Sequence, residues 1–303
     1  MARSRRQAVR HGYIVIDKPA GWTSHDVIAR VRKIVSERRV GHAGTLDPMA
    51  TGVLPIAVGL ATRTVEYLAV SDKAYRAAIT FGIATDSGDA DGDVIATRNA
   101  NHLTLLDLEP ILKAFTGEID QVPPMHSAIK VNGQRLYALA RKGESIEIAP
   151  RHVEITELGV VAWSPPVLTV DVTCSKGTYI RALARDIGAN AGVGAHLSAL
   201  RRTRSGPFTF AQAMTLETLE QRILAEPWQQ IAFPADITLR DKPRIDLADA
   251  DAIDWSQGKR IQLQVSASTG SVVSAYDADG TWRGVGTVGP DGDIHPTKVI
   301  HTE

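Results

Sequence analysis

The sequence predicts an α+β chain, with a mixed, mostly antiparallel sheet flanked by helices and a small all-β module at the C-terminal end. Three observations carry that expectation. Residues 73–81 and 167–175 alternate apolar and polar side chains, as strands with one buried face do. Segments starting near Thr23 or Ser24 and near Thr178 repeat apolar residues at helical spacing. Beyond about residue 240 the runs become short and strand-like, separated by Gly-containing turns.

Taken in order, residues 13–17 form a β-branched run that ends in the turn Lys18-Pro19-Ala20-Gly21. A helix follows, with Thr23 and Asp26 spaced for a capping box and Val27, Ile28, Val31, Ile34 and Val35 on one stripe. In the strand at 73–81, Tyr75, Ala77, Ile79 and Phe81 share the core face. The acidic run 86–93 fits no calcium-loop register and reads as a turn between strands. A short helix is expected over 108–115, ended by Gly117, and Asn132-Gly133 marks a tight hairpin. The helix from about Thr178 buries Ile180, Leu183, Ala184 and Ile187, with Arg181 and Arg185 on another face. Residues 232–243, with two prolines, read as a linker to strand-like runs at 261–265, 272–276 and 285–288.

Composition narrows the function classes. A length of 303 residues suits one large or two moderate domains, and 44% hydrophobic with 22% charged residues is ordinary for a globular protein. Cys174 is the only cysteine, which rules out an intrachain disulfide and a cysteine-built zinc site and fits a reducing cytosol. Arg3, Arg5, Arg6 and Arg10 form a basic N-terminal arm with no apolar region behind them. The longest apolar stretch, 53–61, is too short to span a bilayer, so a cytoplasmic protein without a membrane partner is expected.

Net charge is zero, yet its distribution is uneven. Residues 1–206 hold 26 basic and 20 acidic side chains, whereas residues 207–303 hold 8 and 14. Basic residues outnumber acidic ones ten to three in 1–40, five to two in 125–151 and six to one in 176–206. Phosphate binding responds to such local patches rather than to whole-chain balance.

The candidate chemistry starts at Gly41-His42-Ala43-Gly44-Thr45-Leu46-Asp47-Pro48. The glycines free the backbone for turns or close approach, and Pro48 pushes Asp47 out of helical space. A lone acid presented this way suits a nucleophile or a general base, although Asp-Pro is also common in ordinary turns. Tyr75 lies on a strand, His42 in the loop itself, and Tyr179 and Arg181 at a strand-to-helix junction where an anion could be held. Each has an ordinary alternative as a core tyrosine, a solvated histidine or a surface arginine. The sequence contains neither HExxH nor a phosphate-binding glycine loop after a strand.

Six strings then fall in one order: IVIDKPAGWTSHD, RRVGHAGTLDPMATGVLP, SDKAYRA, PPMHSAIK, CSKGTYIRALARDIG and GAHLSALRRTRSG. They are spread across residues 12–206 and resemble the TruB family of tRNA pseudouridine synthases. The C-terminal module is similar in position and texture to that family's PUA-type RNA-binding domain. The resemblance implies the pseudouridine synthase fold over 1–240, a basic arm at about 125–151 lying over RNA, and a PUA-like domain over 241–303.

It also implies isomerisation of uridine-55 in the tRNA T-loop, without cofactor or metal, by breaking the N-glycosidic bond and rejoining the base through carbon. Asp47 matches the catalytic nucleophile, Tyr75 the tyrosine that packs on the target base, and Arg181 the partner of the aspartate. His42, Tyr179 and Leu200 match substrate-contacting positions, and Lys18 with Pro19 matches the motif supporting the active-site loop. Arg63 stands where the family often has lysine, keeping the charge but not its geometry. The expected partner is the T-arm of tRNA, bound by a monomer. The stand-alone bacterial type is favoured by the compact length and the absence of long charged tails. The ionised form of Asp47 is expected to be held by Arg181 despite burial. Rival readings are a non-catalytic tRNA-folding module, a synthase of the family with another RNA target, and a hydrolase. The hydrolase reading needs two acids, and the recognised motifs supply one.

Overall fold

Sheet formation follows the alternation that the sequence shows. β1 (Gly12–Lys18), β3 (Thr51–Val58), β4 (Lys73–Phe81), β10 (Arg151–Ser164), β11 (Val167–Cys174) and β12 (Ala195–Ser205) carry the main sheet. Short strands β2 (Val40–His42), β7 (Gly117–Gln121) and β13 (Phe208–Thr209) complete it, and β5 (Ile83–Thr85) pairs with β6 (Val94–Thr97) beside it. The sheet order is β1-β3-β12-β4-β11-β10-β7, antiparallel except where β12 runs parallel to β3. The expected mixed, mostly antiparallel α+β architecture is therefore what forms.

The computed structural model describes residues 10–125, 130–131, 134–135, 146–263 and 265–301. Arg3, Arg5 and Arg6 of the N-terminal arm, most of the basic segment 125–151 and the Asn132-Gly133 turn lie outside the described residues. The strands flanking that turn, β8 (Lys130–Val131) and β9 (Gln134–Arg135), pair antiparallel with Val131 opposite Gln134.

Helices cover one face of the sheet. α1 (Ser24–Val35) opens with the expected capping box, in which Thr23 and Asp26 exchange hydrogen bonds. α2 (Val65–Ala69) is a short connector. α3 spans Leu105–Ala114, starting earlier than predicted because Thr104 and Asp107 form a second capping box. α4 (Ile180–Asn190) follows β11. Tyr75, Ala77, Ile79 and Phe81 point together into the core built with Val27, Val31, Leu108, Leu183 and Ile187.

The opposite face of β1 and β3 is covered too, and here one expectation is corrected. Residues 232–243 are not a free linker. Phe233 exchanges backbone hydrogen bonds of 2.8 and 2.7 Å with Tyr13, and Ile237 and Leu239 are buried. Phe233 and Ile237 close a second core with Tyr13, Val15, Val53 and Phe208. α5 (Leu216–Ala225) and α6 (Trp228–Ile231) lead into this segment.

The C-terminal module is a separate five-stranded sheet, ordered β14-β16-β17-β18-β15. Its strands are β14 (Arg244–Asp246), β15 (Ile261–Gln262), β16 (Val272–Tyr276), β17 (Trp282–Val288) and β18 (Asp293–Val299). One helix, α7 (Asp249–Ser256), adds Trp255 to its core, with the indole N–H donating to the Arg283 carbonyl at 2.9 Å. The Tyr276 hydroxyl donates to Asp236 at 2.7 Å and Lys298 pairs with Glu66 at 3.1 Å, joining the module to the main body.

α4 sits very close to β12. A Cβ on Gly188 would lie 2.2 Å from the backbone nitrogen of Ala195. Gly188→Ala should therefore cost about 1–3 kcal/mol through overpacking, read as a lowered urea midpoint by circular dichroism. An unchanged midpoint would contradict that close approach.

Candidate active site

The loop carrying Asp47 bridges β2 and β3 and is clamped from both sides. Ser24, the first residue of α1, accepts from the Leu46 N–H at 3.0 Å and donates to the Leu46 carbonyl at 3.2 Å. On the other side the buried Lys18 ammonium donates to the carbonyls of Pro19, Trp22 and Pro48 at 2.8, 2.6 and 3.1 Å. Three acceptors match the three donors of an ammonium, so Lys18 acts as a knot between its own turn and the loop. Burial pulls its pKa down to about 8, against the opposing charge of Asp47.

Arg181 arrives on the first turn of α4. Gln121 seats that turn by accepting from the Tyr179 N–H at 2.7 Å and donating to the Tyr179 carbonyl at 3.1 Å. From there the buried guanidinium reaches Asp47 with two nitrogens, Nε to Oδ2 at 2.9 Å and Nη2 to Oδ1 at 3.2 Å. Nη2 makes the hydrogen bond while Nε approaches the other oxygen as an ion-pair contact, so both carboxylate oxygens face the guanidinium. Nη1 donates to the Ser87 carbonyl at 3.2 Å.

A second carboxylate shares the guanidinium. Asp89 is buried with Oδ2 3.5 Å from Arg181 Nε, while its other oxygen accepts from the Ser87 hydroxyl at 2.5 Å. The expectation of a single acid is thereby corrected. The run 86–93 is the inter-strand turn expected, yet it folds back so that one of its acids enters the site. Its density of acids was the only signal, and nothing in the sequence separates Asp89 from its exposed neighbours.

Burial raises the Asp47 pKa above the usual carboxylate range, Arg181 opposes this, and the charge of Asp89 adds to the rise. The guanidinium thus tempers the desolvation cost without cancelling it, a weaker hold than expected.

Tyr75 is buried on β4, directly opposite Arg202 of β12, and Leu200 stands opposite Ala77 two pairs along. The Tyr75 phenol is pushed up by burial, with Arg202 pulling it back. His42 ends β2 and meets His25 edge-on at 5.7 Å between ring centroids. Burial, and the charges of His25 and Arg202, lower its pKa to about 4. Among the described residues its Nδ1 has no hydrogen-bond partner. Arg63 donates to the Val299 carbonyl, so the structure gives it a partner in the C-terminal module rather than in the Asp47 loop.

Two concavities flank the loop. A pocket of about 210 Å³ is lined by Arg181, Ser87, Val122, Pro124 and Arg185. An open cleft of about 590 Å³ is lined by Met49, Thr51, Leu200, Ala90, Arg76 and Arg201, and it has room for a pyrimidine nucleotide. Among the described residues no group of three or more His, Cys, Asp or Glu is placed to hold a metal ion. No helix among them is long and apolar enough to cross a membrane.

Comparison with known proteins gives the class first, the pseudouridine synthase fold. The chain is similar to a protein in the structure of an H/ACA RNP bound to a substrate RNA containing 2'-deoxyuridine, with a TM-score of 0.74 and 26% identity over 96% of this chain and 85% of that one. More particularly, the chain belongs to the TruB family of pseudouridylate synthases. The family's N-terminal domain matches residues 32–180, the tRNA pseudouridylate synthase B C-terminal domain residues 181–238, and the pseudouridine synthase II TruB C-terminal domain residues 243–300. A relative named tRNA pseudouridine synthase B from Trichormus variabilis is 47% identical, covering 88% of this chain and 91% of its own. Another of that name from Saccharophagus degradans is 43% identical over 95% of both chains.

The depressed His42 pKa gives a direct check. With the folded value near 4 and the unfolded one near 6.5, the neutral ring contributes stability that is complete above 6.5 and lost as pH falls through 4. The His42 imidazole should titrate near pH 4 by NMR, and His42→Gln should flatten the stability profile between those values. Titration near 6.5 would mean the ring is solvated.

Proposed function

We propose that this protein converts uridine-55 of the tRNA T-loop to pseudouridine, with Asp47 as nucleophile. The observation that carries the reading is the forked Arg181–Asp47 contact beside an open cleft. The match to relatives named tRNA pseudouridine synthase B supports tRNA as the substrate. A stacked uridine must be flipped out to be reached, at a cost of about a few kcal/mol. Stacking on an aromatic such as Tyr75 returns about 1–3 kcal/mol, and phosphate contacts from basic segments add a salt-dependent share.

In this reading Asp47 attacks the sugar or the base, or removes a ribose proton. Each route needs the carboxylate ionised and aimed, and Arg181 supplies the aim. Tyr75 packs on the base, His42, Tyr179 and Leu200 contact the substrate, and Lys18 holds the loop. Arg63 would meet RNA from the side of the C-terminal module. Residues 1–240 form the catalytic domain and 241–303 the PUA-like one, acting as a cytoplasmic monomer through side chains alone.

Asp47→Asn should reduce tritium release from uridine-labelled tRNA by at least about a thousandfold, comparable to losing a key transition-state contact, while tRNA binding stays within a few-fold. Near-wild-type turnover would leave a non-catalytic RNA-folding role. Mapping the product to a uridine other than 55 would assign the protein a different RNA target.

Because the Asp47 pKa is raised, the acidic limb of kcat/KM should lie above pH 3.8, the ordinary aspartate value. The Asp89 charge contributes to that rise, so Asp89→Asn should move the limb to lower pH. A limb that stays put or moves upward would contradict the coupling.

A further inference from the structure

Arg76 of β4 and Arg201 of β12 are paired directly across the two strands, and both line the open cleft. Like charges placed opposite one another destabilise a strand pair, so the arrangement calls for counter-charge. The fold supplies it only from the outer sides. Asp171, the register partner of Arg76 on β11, accepts from its Nε and Nη2 at 2.8 and 2.7 Å. Asp17 of β1, beyond β3, accepts from Arg201 Nη2 at 3.2 Å. Across the sheet the charges therefore run minus, plus, plus, minus, and the positive seam lies in the middle.

Both guanidiniums are held in place and still reachable. Their side chains are 54% and 47% exposed. The two-pronged contact with Asp171 sets the plane of the first, and the Phe210 ring, with its centroid 4.0 Å from Arg201 Cζ, supports the second. A guanidinium has five N–H donors. Among the described residues, Nη1 of Arg76 and both Nε and Nη1 of Arg201 bond no protein group. Asp91 is the one carboxylate on the described wall of the cleft. The pair is also tied to the Asp47 loop, because Arg201 is the register partner of Thr51, four residues past Asp47.

Resting on the pseudouridine synthase reading, we propose that Arg76 and Arg201 together clamp a single backbone phosphate of the RNA strand that delivers the uridine to the cleft. That phosphate supplies the negative charge missing from the centre of the ladder. Charge-assisted bonds from two prearranged guanidiniums fix where the strand lies relative to Asp47. Asp171 and Asp17 balance the arginines and hold them in place before RNA arrives.

The test removes the clamp without altering net charge. Arg76→Gln with Asp171→Asn, and Arg201→Gln with Asp17→Asn, are made separately and together in the full chain carrying Asp47→Asn, so that no product forms. Affinity for unmodified tRNA is then measured over a range of salt. The fourfold replacement should weaken binding at least about tenfold. It should also make the log–log salt dependence shallower by about 0.7–0.9, the share of one phosphate. Each pair removed alone should weaken binding while the slope stays close to the parent, because the other arginine still holds the phosphate. A general field effect predicts no change in any of these variants, and unchanged affinity in both pairwise replacements overturns the proposal even if the fourfold variant fails to fold. A slope change twice as large would mean two separate phosphates and overturns the shared clamp. Binding is independent of turnover. If it responds as expected while the natural chain forms no pseudouridine in any tRNA, the clamp stands and the functional reading falls; if it does not respond while uridine-55 is converted, the clamp alone falls.

Discussion

The whole site turns on one buried guanidinium divided between two carboxylates. Arg181 must be within reach of Asp47 and Asp89 at once, and those acids come from loops more than forty residues apart. Removing one partner from such a buried group typically costs about 3–5 kcal/mol, because the charge left behind has no water to turn to. That cost disciplines the fold. The start of α4 must be seated by Gln121, the turn after β5 must fold inward, and the loop after β2 must present its acid at one angle.

Backbone carbonyls do much of the remaining work. Lys18 and Arg202 are both fully buried, and their hydrogen-bond acceptors are mainly main-chain oxygens of the loop and its neighbours. Each converts a flexible glycine-containing segment into a fixed one without adding a negative charge to the site. Two buried cations, Arg181 and Lys18, thus bear on Asp47. An environment of that sign counters the desolvation of Asp47 and favours negative charge developing on a base as its bond to the sugar breaks.

Much of this was legible in the sequence because it is local. The alternation in β4, the Thr23–Asp26 box and the stripe of α1 depend on near neighbours, and the structure reproduces them. Asp47 and Arg181 were found through family motifs, and their contact follows the expectation. Asp89, Gln121 and Arg202 escaped because their roles are set by partners across the fold: Asp89 meets Arg181, Gln121 meets Tyr179 and Arg202 meets Gly44. A polar residue at a strand end or in an acidic turn looks solvated until tertiary structure buries it. Residues 232–243 misled for a related reason. Their prolines suggest a linker, while Phe233 and Ile237 are the apolar cover that β1 and β3 require.

The decisive measurement is the single-turnover rate of Arg181→Lys on unmodified tRNA, alongside its tRNA affinity. Lysine keeps the positive charge but cannot make the two-pronged contact with Asp47. If the orientation of that carboxylate governs the reaction, the rate should fall by about tenfold or more with affinity nearly unchanged. A rate equal to wild type would show that charge alone suffices and that the forked geometry is incidental.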